Sequence, residues 1–175
     1  MSNRYKNDIG NDCLLSVDGT DCRILKSGKY WYSHKFKKPG VRYEVGLSIL
    51  SGDICWINGP FPCGEYPDIK IFRMALKHEL EESERVLADL GYRGDEKTKV
   101  PGPLYTEEAY KQMVKRVASR HETVNKRIKI FNCLTHPFRH GIAKHAACFR
   151  AVTVITQLAI ENGEPLFQVQ YDDRD

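Results

Sequence analysis

A continuous apolar stripe along residues 110–131 is the feature that most constrains the fold of this chain. Apolar side chains recur there at steps of three and four residues, which is the spacing of one buried face on a long helix. Short apolar runs bounded by turn residues precede the stripe, and such runs favour strands. This order predicts an α/β fold, in which a mixed sheet has helices packed on both faces.

Two aspartates are predicted at the ends of separate strands. Residues 13–20 form an apolar run that ends in turn residues, which suits a buried strand with Asp18 at its carboxyl end. Residues 85–92 predict a second short strand that carries Asp89 at its end. Between them, residues 41–57 predict an antiparallel hairpin.

A glutamate lies on one flank of the predicted long helix, which is expected to begin near Thr106. Counting from Tyr110 at about 100° per residue, Glu122 falls at about 120°. Asn125 and Lys129 fall at about 60° and about 100°. These three polar side chains therefore share a flank beside the apolar stripe, where a carboxylate would lie near the sheet.

Length and composition favour one intracellular globular domain. At 175 residues the chain is near the commonest domain size, so we expect a single domain over residues 1–175. No stretch approaches the roughly 20 apolar residues that a membrane-spanning helix requires, and the first residues lack the apolar segment of a secretory signal. We therefore expect an intracellular protein whose six cysteines are reduced thiols.

Positive charge is concentrated in one part of the chain. The formal net charge is only +4, but residues 109–150 contain ten Lys and Arg against one acid, Glu122. Such a run is often no more than a solvated helix face. The other interpretation is a surface that binds a polyanion.

Asp18, Asp89 and Glu122 come from three predicted elements whose side chains can converge. Mg²⁺ and Mn²⁺ prefer oxygen ligands, and a few carboxylates together with phosphate oxygens and waters complete their shells. Three converging carboxylates can hold two such ions, at the roughly 3.5–4 Å separation of two-metal sites. Taken singly, each acid also fits a turn, a loop cap or a helix surface.

Three blocks of sequence carry a resemblance to a known family. They are Ser16-Val-Asp-Gly-Thr, Leu87-Ala-Asp-Leu-Gly-Tyr-Arg-Gly and Arg120-His-Glu-Thr-Val-Asn-Lys-Arg-Ile-Lys. These blocks resemble the three catalytic motifs of DDE superfamily transposases and endonucleases, of the Harbinger-like and insertion-sequence types. Gly59-Pro-Phe-Pro-Cys-Gly and Phe138-Arg-His look similar as well, so the resemblance covers nearly the whole chain. It implies an RNase H-like domain.

The resemblance also implies an activity and a set of site residues. Asp18, Asp89 and Glu122 would be both the catalytic residues and the ligands of two divalent cations, Mg²⁺ or Mn²⁺. The implied activity is metal-dependent phosphodiester cleavage and strand transfer on DNA, at transposon ends or at a target. Lys129 matches a family lysine that contacts DNA near the reacting phosphate. The same DNA-binding surface is expected to include Arg120, Asn125, Lys126 and Arg127.

The chain departs from the family pattern before its first predicted strand. Transposases of this kind normally carry a helix-turn-helix or similar domain there, and we expect this N-terminal DNA-binding domain to be absent. A homodimer or a separate DNA-binding partner would then complete the function. In a eukaryotic cell the expected location is the nucleus.

Three other interpretations stay open. A transposase-derived domain with a vestigial metal site would bind DNA or protein without cleaving, and metal-dependent nicking separates it from an enzyme. A nuclease that cuts RNA in hybrids shares the fold and the acids. A zinc site is the third, although the region has no C-x-x-C pair and Pro137 interrupts the predicted helix. Its candidate ligands are Cys133, His136, His140, His145 and Cys148.

Overall fold

The computed structural model describes residues 13–102 and 108–169. The strands in these ranges are β1 (Cys13–Arg23), β2 (Tyr32–Ser33), β3 (Lys38–Ser48), β4 (Ile54–Pro62), β5 (Arg85–Ala88) and β6 (Thr98–Lys99). The helices are α1 (Asp68–Met74), α2 (Leu76–Glu79), α3 (Glu108–Lys129), α4 (Asn132–Thr135) and α5 (Ile142–Glu161). None of these helices is both long enough and apolar enough to cross a lipid bilayer.

The strands form one mixed sheet of six members. The central strand, β1, pairs in parallel with β5 and antiparallel with β3. Beyond β5, the sheet continues with β6 in parallel. On its other edge β3 pairs antiparallel with both β2 and β4. The predicted hairpin over residues 41–57 is confirmed as the β3–β4 pair.

Helices cover both faces of this sheet. Successive side chains of a strand point to opposite faces, and on one face Leu15 and Val17 of β1 pack with Phe72 and Leu76 of the short helices α1 and α2. On the other face, apolar residues of β3 pack against α3, α4 and α5. The predicted α/β fold with helices on both faces is confirmed.

Strand β1 is longer than the sequence predicts. The residues that follow Asp18 continue to pair with β3 as far as Arg23, although they are turn formers. A buried ion pair stabilises this extension, because Arg42 Nε on β3 lies 2.7 Å from Oδ1 of Asp21 on β1. The prediction that Asp18 ends the strand is therefore wrong, and Asp18 lies within β1.

The long helix α3 carries the predicted apolar stripe. Val117, Val124 and Ile128 are buried against the sheet and its neighbouring helices. The predicted N-cap, Thr106, lies outside the described residues. The stripe fixes the rotation of α3 on the sheet, and it thereby fixes where the polar flank with Glu122 lies.

The candidate zinc ligands between residues 133 and 148 lie partly in the core and partly at the surface. His145 on α5 is buried, and its Nδ1 lies 2.7 Å from the hydroxyl oxygen of Tyr43. His136 and His140 are exposed. The described residues contain no disulfide bond. The structure therefore gives His145 a packing role in place of a metal-binding one.

We expect the stabilising effect of His145 to fall as the pH is lowered from about 7 to about 4. Burial lowers the pKa of His145 to about 4, whereas a histidine in an unfolded chain has a pKa of about 6.5. Between these values the unfolded chain binds the extra proton, so acid favours unfolding. Urea unfolding of the protein and of its His145→Gln variant checks this. The stability difference should be largest at neutral pH and should narrow in acid, and a difference that does not vary with pH would contradict it.

Candidate active site

Asp18 and Asp89 lie side by side on neighbouring parallel strands. Val17 of β1 is in register with Ala88 of β5, and an aspartate follows each of them in the chain. Hydrogen-bonded strands are about 4.8 Å apart, so the two aspartates flank one small space. Both line the same cavity.

Glu122 completes the wall of that cavity. The cavity has a volume of about 300 Å³ and lies between β1, the end of β5 and α3. Among the described residues, its lining includes Asp18, Asp89 and Glu122 but no lysine or arginine. The structure therefore brings the three predicted acids together, and no basic side chain of this described lining neutralises them.

The donor set fits a hard divalent cation of the Mg²⁺ type. Such an ion takes one or two carboxylates and keeps several waters or phosphate oxygens. Within residues 13–102 and 108–169, no three His, Cys, Asp or Glu side chains form a group that could hold a metal ion. The three carboxylates line an open cavity, so water and phosphate oxygens would have to supply the remaining ligands.

Hydrogen bonds orient both aspartates. The side-chain amide of Asn125 donates to Oδ2 of Asp18 at 3.1 Å. The backbone N–H of Gly91 donates to Oδ1 of Asp89 at 2.8 Å, within the single helical turn Leu90–Tyr92 that Asp89 caps. Each bond engages one carboxylate oxygen. The other oxygen of each aspartate accepts no hydrogen bond from the described residues.

His121 fastens α3 to β1 beside the cavity, a role that the sequence did not reveal. Its Nε2 lies 2.9 Å from the hydroxyl oxygen of Ser16, whose proton is donated to the carbonyl of Leu47. The Ser16 oxygen therefore accepts from the imidazole N–H. Burial lowers the pKa of His121 even though Asp18 is near, so the ring is neutral at neutral pH.

Asp68, the first residue of α1, is a fourth acid next to the aspartate pair. Its carboxylate packs where a side chain at Gly19 would collide with it, and its Oδ2 lies 3.0 Å from the position of a Cβ at Gly91. Gly19 directly follows Asp18, and Gly91 lies two residues after Asp89. Burial raises the pKa of Asp68, and Arg42, 3.4 Å from its Oδ1, opposes that shift.

The arginines of α3 bind a neighbouring segment of the chain. Arg116, Arg120 and Arg127 donate to backbone carbonyls within residues 164–168. Arg120 is only 1% exposed and also donates to two carbonyl oxygens at the end of β3. The prediction that Arg120 contacts DNA phosphates is therefore wrong, because protein encloses its guanidinium. Arg127 is half-buried and is bonded to the same segment.

The lysines of α3 lie on the flank of Glu122. Counting from Tyr110, Lys126 falls at about 160° and Lys129 at about 100°, close to the roughly 120° of Glu122, whereas the three arginines fall between about 240° and 280°. Lys126 is exposed and Lys129 is half-buried. The basic residues of α3 therefore lie on two flanks. The arginines lie on a flank that binds other parts of the chain, and Lys126 and Lys129 form a lysine flank beside the acids.

Comparison with known proteins assigns most of the chain to one family. Residues 17–157 match the family model described as DDE superfamily endonuclease, and the match includes Asp18, Asp89 and Glu122. Searches of curated proteins and of solved structures found no match. The family match covers more than half of the chain, and the mixed sheet with helices on both faces agrees with an RNase H-like domain. The chain therefore belongs to the family of DDE superfamily endonucleases.

Proposed function

We propose that this chain is a transposase-type endonuclease that cleaves DNA with divalent metal ions. The observation that carries the proposal is the cavity whose described lining contains Asp18, Asp89 and Glu122 but no lysine or arginine. Three such carboxylates repel one another and repel a phosphate, so a cation must join them before DNA can approach. Two bound Mg²⁺ or Mn²⁺ ions would activate the attacking oxygen and stabilise the leaving oxygen of the phosphodiester.

The other residues of the site position these acids. Asn125 holds the carboxylate of Asp18, and the backbone of Gly91 holds that of Asp89. His121 fastens α3 to β1 next to Glu122. Groups that orient metal ligands in this way affect metal affinity and activity. Asn125 and His121 are therefore positioning residues in this proposal.

The lysine flank of α3 supplies the contacts to DNA in this proposal. Lys126 and Lys129 lie beside Glu122, so a phosphate backbone that entered the cavity would pass them. Contacts of this kind position DNA without reading its sequence. Recognition of transposon ends and strand transfer need a further surface, which a second copy or a separate DNA-binding partner would provide. In a eukaryote, such a function would place the protein in the nucleus.

We expect Lys126→Ala to weaken DNA binding several-fold and to reduce the slope of log affinity against log salt concentration by about 1. The reason is that one fewer phosphate is neutralised, so fewer counterions are released. Fluorescence anisotropy with a labelled duplex at several salt concentrations measures both quantities. The matched control is Lys70→Ala, since Lys70 is an exposed lysine of α1 on the opposite face of the sheet. Equal effects of the two variants would contradict a DNA surface on α3.

Conversion of supercoiled plasmid to nicked and linear forms tests the proposed function. We expect cleavage with Mn²⁺ or Mg²⁺ and none with a chelator. DNA binding without cleavage under every condition would instead favour a catalytically inactive, transposase-derived binding domain. A preference for an RNA–DNA hybrid over duplex DNA would point to an RNase H-type nuclease.

A further inference from the structure

Helix α5 carries an apolar stripe on the face that points to solvent. Val154, Ile155 and Leu158 are 57%, 50% and 51% exposed. Ala147 and Ala151 are exposed as well, and at about 100° per residue all five lie within about 100° of arc. The opposite face of α5 packs into the core. The helix is therefore apolar on two faces, and the described residues cover one of them.

We propose that the stripe pairs with the same stripe of a second copy of this chain, as an antiparallel helix pair. A two-fold interface requires a patch that is complementary to itself. An axis between residues 152 and 153 places Ala147 opposite Leu158 of the other copy, since the two lie equally far from the axis. The same axis places Ala151 opposite Val154. A small side chain meets a large one in both cases, so the two stripes interlock.

The charges at the ends of α5 fit the same arrangement. Lys144 near its start and Glu161 at its end are both exposed, and they lie equally far from the proposed axis. Each lysine would therefore meet the glutamate of the other copy, and the dimer would contain this ion pair twice. In a parallel arrangement Lys144 would meet Lys144 and Glu161 would meet Glu161. The charge pattern thus selects the antiparallel pair.

A partner other than a second copy would not require this internal symmetry. The pairing of Ala147 with Leu158 and of Lys144 with Glu161 arises only when one helix meets its own sequence in reverse. The stripe also lies on α5, whereas the acids and lysines of the candidate active site lie on β1, β5 and α3. Dimerisation through α5 therefore leaves the cavity of each copy open to DNA.

Analytical ultracentrifugation of the full chain over a range of concentrations tests the pairing. We expect a monomer–dimer equilibrium that Val154→Asp shifts to monomer, because a buried charge would replace an apolar contact. The matched control is Ile130→Asp, since Ile130 lies just beyond α3 and is 75% exposed; this variant should associate like the unaltered chain. A chain that stays monomeric at every concentration, or a dimer that survives Val154→Asp, overturns the proposal.

Charge reversal tests the register of the two helices. Lys144→Glu and Glu161→Lys each place like charges opposite one another, and each should raise the dimer dissociation constant about 2- to 10-fold. The double variant exchanges the charges and should restore the original constant. Circular dichroism confirms that each variant is folded. Failure of the double variant to restore association, with both single variants folded, would overturn the antiparallel register.

Discussion

The Asp89→Asn variant should lose metal-dependent DNA cleavage while it keeps its fold and its DNA binding. Asp89 is exposed at the cavity wall, and Asn retains an oxygen that can accept from Gly91. The change therefore removes a negative charge with little loss of stability. Residues that only orient a metal ligand change affinity or activity by about 10- to 100-fold. Loss of a ligand charge itself should exceed that effect.

Plasmid nicking rates at saturating Mn²⁺ measure this loss, with DNA affinity and unfolding recorded for the same preparations. Glu65→Gln is the matched control, since Glu65 is an exposed acid that does not line the cavity. It should cleave at the rate of the unaltered chain. An Asp89→Asn variant with full activity would show that the metal-binding acids lie elsewhere.

Arg120→Ala should lower the free energy of unfolding by about 3 kcal/mol. The Arg120 guanidinium donates to three backbone carbonyls at 2.6 to 3.2 Å, two at the end of β3 and one at Phe167. Removal of the side chain leaves these acceptors without their charged donor inside the protein. A buried acceptor that loses its partner is destabilising by about 1–3 kcal/mol.

Urea unfolding of Arg120→Ala and of Lys115→Ala gives the comparison. Lys115 is an exposed residue of the same helix, so its loss should change stability by less than about 0.5 kcal/mol. DNA affinity of folded Arg120→Ala should match that of the unaltered chain. A stable Arg120→Ala protein with weakened DNA binding would return Arg120 to the DNA surface.

Much of the fold follows from patterns that act over short distances. The period-two run of the hairpin and the helical stripe of α3 each indicate an element without reference to the rest of the chain. The length of β1 depends on a distant partner. The residues after Asp18 favour a turn locally, but pairing with β3 and the buried Asp21–Arg42 ion pair hold them in the strand.

Some features of the candidate site likewise follow from local sequence patterns, and others depend on contacts between residues far apart in the sequence. Helical geometry alone places Asn125 on the flank of Glu122, and the structure adds its bond to Asp18. The same geometry places Arg120 on the opposite flank from Glu122, although the resemblance groups Arg120 with the DNA-binding residues. Asp68 could not be found from the sequence, because its contacts with Gly19 and Gly91 depend on where α1 packs on the sheet.

We propose that Asp18, Asp89 and Glu122 together hold divalent cations. Anomalous diffraction from crystals soaked in Mn²⁺ tests it most directly, since the metal reveals its own position. We expect anomalous peaks within the cavity, bounded by these three carboxylates, with two ions about 3.5–4 Å apart when DNA is bound. Saturated crystals with no peak in the cavity, or with peaks only at other side chains, would contradict it.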